Sequence, residues 1–137
     1  SQAVAGALPA SLSDAEQRAV RHVVSENARV LDFVERLEAG DLDAAGAIMS
    51  ESHRSLSEVY EVSCEELDVL AELARAVPGV YGARMPGGGF GGWVLALVSS
   101  EAAGGVLDAV QADYRDRFGR ETQFRPVHAS DGARVIA

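Results

Sequence analysis

Between Pro86 and Gly92 five of seven residues are glycine, and only Phe90 carries a large side chain that packing could bury. Such a stretch can neither continue a helix nor pack as a strand, because glycine loses the most backbone freedom on ordering and adds no apolar surface. Its flanks are of the opposite kind. Val80, Tyr81, Ala83 and Met85 form a short strand-like run before it, and Trp93 to Val98 form a nearly unbroken apolar run after it, as expected of paired strands in a core. The glycine run therefore joins two strands. A connection of this kind needs only two or three glycines, for their tolerance of positive φ. The surplus leaves two readings open: a plain connection, or a loop that a ligand or another backbone approaches closely.

Upstream of Val80 the apolar period is helical. Ser13 and Glu16 have the spacing of a capping box and open a first helix. In it Val20, Val23, Val24, Val30, Leu31 and Val34 share a stripe, Arg18, Arg29 and Arg36 fall largely off it, and Gly40 offers a left-handed stop. A second helix follows Asp41, with Leu42, Ala45, Met49, Leu56 and Tyr60 on one side and His53 close to it. Ser63 and Glu66 repeat the capping-box spacing and open a third, continued by Leu67, Leu70, Ala71 and Ala74 and ended by Pro78 and Gly79. After the strand pair, Ala103, Val106, Leu107, Val110, Tyr114 and Phe118 predict a fourth helix that Gly119 closes. Thr122 to Val127 alternates as a further strand, and Arg134 to Ile136 adds a short edge piece. The order αααββαβ predicts an α+β fold, with helices packed on one face of a small antiparallel sheet. Residues 1–12 read as a linker or residual edge before a domain spanning 13–137, and the start at Ser1 as that of a fragment.

Composition removes whole classes of function. Twelve basic against twenty-one acidic side chains give a formal charge of -9 without a local basic stripe, so nucleic acid is not an expected partner. Every cation is arginine, which excludes a phosphate-binding P-loop lysine, a Schiff base and a lysine general base. A single cysteine, Cys64, allows neither an internal disulfide nor a structural zinc site and points to an intracellular, cytoplasmic protein. No apolar run is long enough to span a bilayer, so no membrane is expected. His22 and His128 lack ligand spacing with other candidates, so no metal site is expected within the chain.

Gly87, Gly89 and Gly92 satisfy the G-x-G-x-x-G pattern, but in a dinucleotide fold a helix follows it and here a strand does. Other residues have bland readings. His53 with Glu51 or Asp68 has the makings of acid-base chemistry, yet one histidine near an apolar helix face reads as a hydrogen-bonded packing residue. Glu65, Glu66 and Asp68 suit the first turn of a helix on dipole grounds. Cys64 reads as a small buried or capping residue, and Trp93 as core.

Gly82-Ala83-Arg84-Met85 followed by Gly87-Gly88-Gly89-Phe90-Gly91-Gly92 resembles the third motif of galactokinases within the GHMP kinase family. The likeness extends to His22-Val23-Val24 with Glu26 and Arg29, and to Met49 with Ser52-His53. It continues in Tyr60-Glu61-Val62-Ser63-Cys64 with Glu66-Leu67-Asp68, and in Ser130-Asp131-Gly132-Ala133. The stretch from Glu61 to Asp68 points to galactokinases rather than to relatives acting on mevalonate, homoserine or arabinose. Two positions depart from the pattern: Pro86 where the family usually has threonine, and Trp93 where it often has cysteine.

The resemblance implies a ferredoxin-like C-terminal domain of an enzyme that moves the γ-phosphoryl of ATP, with Mg²⁺, to the C1 hydroxyl of galactose. The reactive cleft would lie between two halves. The phosphate loop, the acidic residue beside the sugar hydroxyl and its partnering arginine belong to the N-terminal half, so no catalytic residue is expected here and the isolated chain is expected to be inactive. Gly87, Gly88, Gly89, Phe90, Gly91 and Gly92 would border the cleft, with Arg84 and Met85 supporting the motif. The competing reading is a stand-alone α+β module that binds a metabolite or protein without catalysis.

Overall fold

The computed structural model describes residues 8–129. Helix α1 (Asp14–Glu38) opens on the expected capping box: the Ser13 hydroxyl accepts from the Glu16 amide, and Glu16 Oε2 takes the Ser13 N–H at 2.8 Å. Helix α2 (Leu42–Arg54) is capped by Asp41, whose carboxylate accepts from the Ala44 amide at 3.1 Å. It continues into a wider π-type turn over Ser55–Val59, which puts Ser55 and Leu56 in the interior. Helix α3 (Glu65–Ala76) precedes strand β1 (Val80–Arg84), which pairs antiparallel with β2 (Leu95–Val98) around a bulge near Gly82. A 3₁₀ turn at Ala103–Gly105 leads into α4 (Val106–Phe118), closed by Gly119 at φ 64°. The α+β fold with helices on a small antiparallel sheet is as the sequence predicts.

Small residues let α2 lie directly on β1. A β-carbon added to Gly46 would stand 2.1 Å from the Tyr81 carbonyl oxygen, and one added to Gly82 would stand 2.0 Å from the Gly46 carbonyl oxygen. No side chain fits between these backbones. Ala45, Ala71 and Ala83 are likewise fully buried. Beyond this contact Leu56, Leu67 and Met85 form a core cluster with Val62, Cys64 and Val94 against it, and Ala71, Ala74 and Ala83 form a second against Val94 and Ala96. Both clusters end at the base of the glycine run, so the core that holds the sheet also holds the loop.

Several expectations are corrected. Ser63 and Glu66 form no capping box: Cys64 is the N-cap of α3 without a side-chain bond, and the Ser63 hydroxyl donates to Asp68 instead. Thr122 to Val127 keeps its alternation, with Thr122 and Phe124 half-buried, but forms no strand. Pro126 has no N–H to give a ladder, and the segment lines a cavity of about 260 Å³ together with Trp93, Val94, Leu95 and Ala96. Arg134 to Ile136 lies outside the described residues. On α1, Val23, Val30, Leu31, Val34 and Leu37 are exposed while His22 is buried, so among the described residues nothing covers that part of the helix's apolar stripe. Trp93 is not core: it precedes β2, is 50% exposed, and lies 5.5 Å below the Arg125 guanidinium.

Candidate functional site

The glycine run leaves the sheet at Met85, which is completely buried, and within one residue is at the surface. Pro86 to Gly88 and Phe90 to Gly92 are exposed, and Phe90 stands 74% exposed. Positive φ runs through it: Gly87 at 74°, Gly89 at 83°, Phe90 at 60°, Gly91 at 133° and Gly92 at 110°. Side chains at most of these positions would be strained, which is why glycine fills them.

Two amides fix this otherwise featureless backbone. The Met85 N–H donates to His53 Nδ1 at 3.2 Å, and the Phe90 N–H donates to the Val62 carbonyl at 2.9 Å. Gly89 comes so close to that carbonyl that a β-carbon would meet its oxygen at 1.9 Å. By contrast, nothing lies within 4 Å of where a β-carbon would stand on Gly87, Gly88, Gly91 or Gly92. Among the described residues no backbone partner engages the amides of these four. A row of free donors on an open surface is the arrangement a phosphate oxygen can approach without steric hindrance. Arg84 closes the entry side: its Nε donates to the Met85 carbonyl at 3.2 Å, and it lines a cleft of about 470 Å³ with Glu26, Arg29 and Ser52.

Below the loop, Asp68 gathers hydroxyls from two directions, Ser57 at 2.8 Å and Ser63, and its Oδ1 lies 3.2 Å from His53 Nε2. That last contact has the distance of an ion pair but not the alignment of a hydrogen bond. Burial holds the His53 imidazole below the ordinary histidine range, opposed by the negative charge of Asp68 and assisted by Arg75 and Arg84. The reading of His53 as a hydrogen-bonded packing residue thus stands, and of the two carboxylates named with it in the sequence Asp68 is the one beside the ring. A second polar cluster joins α1 to α2. His22 Nδ1 meets the Ser55 hydroxyl at 2.9 Å, its ring stacks on Tyr60 at 4.8 Å, and the Ser52 hydroxyl donates to Glu26 at 2.7 Å.

Other singled-out residues fall elsewhere. Glu65 pairs with Arg117 at 2.8 Å and Glu66 with Arg120 at 3.4 Å, so both act on the surface between α3 and the end of α4. Cys64 packs half-buried beside Leu56, Leu67 and Met85. Among the described residues no helix is long and apolar enough to cross a membrane, and no group of three or more His, Cys, Asp or Glu is arranged to hold a metal ion. Glu61, at φ 58°, was absent from the expected site; it turns the chain ahead of Val62 and pairs with Arg18 at 3.0 Å.

The family model described as the C-terminal region of GHMP kinases matches residues 33–116. The chain is 42% identical over 125 residues to the galactokinase of Thermotoga maritima, covering 91% of this chain and 36% of that protein. It is 48% identical over 119 residues to human galactokinase, covering 87% and 29%. It thus spans about a third of the length of the curated relatives it matches. Among solved structures, Lactococcus lactis galactokinase complexed with galactose superposes with a TM-score of 0.75 at 38% identity, over 80% of this chain and 28% of that one. A mevalonate kinase of L. major in complex with R-mevalonate superposes less closely, with a TM-score of 0.59 at 26% identity over 72% of this chain and 32% of that one. The match over more than half its residues places this chain in the GHMP kinase family as a C-terminal domain, with galactokinases among its relatives at 42% and 48% identity.

Proposed function

We propose that this chain is the C-terminal part of a galactokinase, transferring the γ-phosphoryl of ATP to the C1 hydroxyl of galactose in a cleft completed by an N-terminal half. The observation that carries the reading is the exposed glycine loop at the edge of the core, where Gly87, Gly88, Gly91 and Gly92 have open space around their α-carbons and, among the described residues, no backbone partner for their amides. Phosphoryl transfer is governed by positioning and charge stabilisation, so backbone donors held at fixed places are what one wall of such a cleft must supply. Gly87, Gly88, Gly91 and Gly92 would offer those donors, while Gly89 and Phe90 seat the loop on Val62. ATP with Mg²⁺, when bound, supplies the phosphoryl group and neutralises its developing charge. Proton transfer is left to the other half, since no titratable side chain lies within the loop itself.

The uncovered apolar stripe of α1 supports a chain that works joined to further polypeptide, because a face of this kind rarely stays exposed in a finished molecule. Cytoplasmic location follows from the same reading, because ATP is the phosphoryl donor. Pro86 gives no N–H at the loop entrance, so the donors begin at Gly87. The test is an assay of ATP-dependent galactose phosphorylation with the 137-residue chain alone and with the chain joined to a galactokinase N-terminal half. The expected result is no transfer by the first and turnover by the second. Turnover by the chain alone would overturn the placement of the reactive groups.

A further inference from the structure

We propose that His53 and Asp68, with Ser57 and Ser63, form a positioning relay that sets the backbone of the glycine loop. The loop has no side chain capable of fixing it except Phe90, which points into solvent. At its entrance the Met85 carbonyl accepts from the adjacent Arg84, and the bond to another element runs from the Met85 N–H to His53 Nδ1. That bond needs Nδ1 unprotonated, so the neutral ring must carry its proton on Nε2, the atom that faces Asp68 Oδ1 at 3.2 Å. A carboxylate beside Nε2 favours the proton there, and the Ser57 and Ser63 hydroxyls hold the carboxylate in turn. Ser63 adjoins Val62, whose carbonyl receives the Phe90 N–H. Both anchors of the loop therefore trace back to one stretch of chain, Val62 to Asp68.

This circuit explains why two residues outside the loop occupy costly positions. His53 is 4% exposed, and a buried imidazole is retained only where its ring nitrogens have work to do. Glu61 adopts φ 58° without being glycine, turning the chain so that the Val62 carbonyl faces Gly89. The charged groups facing His53 are Asp68, Glu72 and Arg75 from α3, Arg54 from its own helix, Glu58 from the π-type turn and Arg84 from β1. Only Asp68 touches the ring. His53 and Asp68 are positioning residues, since neither reaches the open side of the loop.

The experiment reads the relay without enzyme activity, on the 137-residue chain. Nitrogen-15 spectra of the histidine rings at neutral pH should show His53 as the Nε2–H tautomer, and the opposite tautomer would overturn the proposal. In His53→Leu the Met85 amide should exchange with solvent about tenfold faster, the worth of one net hydrogen bond, while α1 amides keep their protection. His53→Asn, whose side-chain oxygen can take the place of Nδ1, should restore most of the loss. Unchanged Met85 exchange in His53→Leu, or equal loss in both variants, would refute the relay. The link to catalysis rests on the galactokinase reading and is read separately, in the chain joined to an N-terminal half. There His53→Leu should lower kcat about tenfold with little change in the KM for galactose, as expected of lost positioning. A labile Met85 amide with unaltered turnover would leave the relay standing and count against the loop's place in the reaction.

Discussion

Two pairs of glycines in this chain are used in opposite ways. At Gly46 and Gly82 the absence of a side chain lets α2 and β1 touch backbone to backbone in the core, at backbone angles other residues also adopt. At Gly91 and Gly92 the surroundings are empty and the angles are what other residues avoid. The first pair is a packing requirement, the second a conformational one at an exposed surface. A core glycine should therefore be read out in stability and an open loop glycine in function, with Gly89, both strained and hemmed in by Val62, lying between.

The largest effect expected of this comparison is from Gly46→Val or Gly82→Val. Both would drive a side chain into a carbonyl at close to 2 Å, and chemical denaturation should show a loss above about 4 kcal/mol or no cooperative unfolding at all. Tolerance of either would break the close-packing argument. Gly89→Ala comes next. Its positive φ and its approach to the Val62 oxygen should together cost about 2–3 kcal/mol, read as a shifted denaturation midpoint with unchanged slope.

A smaller effect should come from pH. Burial lowers the pKa of both His22 and His53, against the raising influence of Glu26 and Asp68 respectively. The unfolded chain, with histidines near their usual value of about 6.5, then binds more protons than the folded one as pH drops below that value. Stability from these rings is complete above about pH 6.5 and declines as pH falls towards their folded values. Denaturation midpoints compared at pH 7.5 and 5.5 should move down at the lower pH in the native chain, and less in His53→Asn. A midpoint that rises on acidification would contradict the buried-neutral assignment.

Much of the fold was legible because it rests on local rules. The capping box at Ser13 and Glu16, the Asp41 cap, the left-handed ends at Gly40 and Gly119, and the strand pair around the glycine run all form as spacing predicts. What failed depends on where elements begin and on what packs against them. Ser63 had the spacing to cap α3, but the helix starts one residue later with Cys64 at its N-cap, and the Ser63 hydroxyl donates to Asp68. The α1 stripe is periodic as the sequence predicts, yet most of it is exposed, since periodicity says that a face is apolar and not what lies against it. Thr122 to Val127 had strand alternation, but Pro126 takes a donor from any ladder and the segment lines a cavity beside β2 instead of pairing with it. Trp93 was assigned to the core on its apolar sequel, whereas β2 begins two residues later, at Leu95. In the candidate site the glycine run itself was visible. Its anchors were not, since the Val62 carbonyl is a backbone atom with no sequence signal, and His53 lies 32 residues from the amide it receives.

The most direct measurement of the central claim is Gly91→Val in the chain joined to a galactokinase N-terminal half, with turnover and thermal stability determined on the same protein. Gly91 has open space around it and touches neither anchor, so the account predicts that kcat falls at least about tenfold while Tm moves by only a few degrees. Turnover that survives the substitution, or that declines only in step with unfolding, would contradict the claim and leave the glycine run a connection between strands.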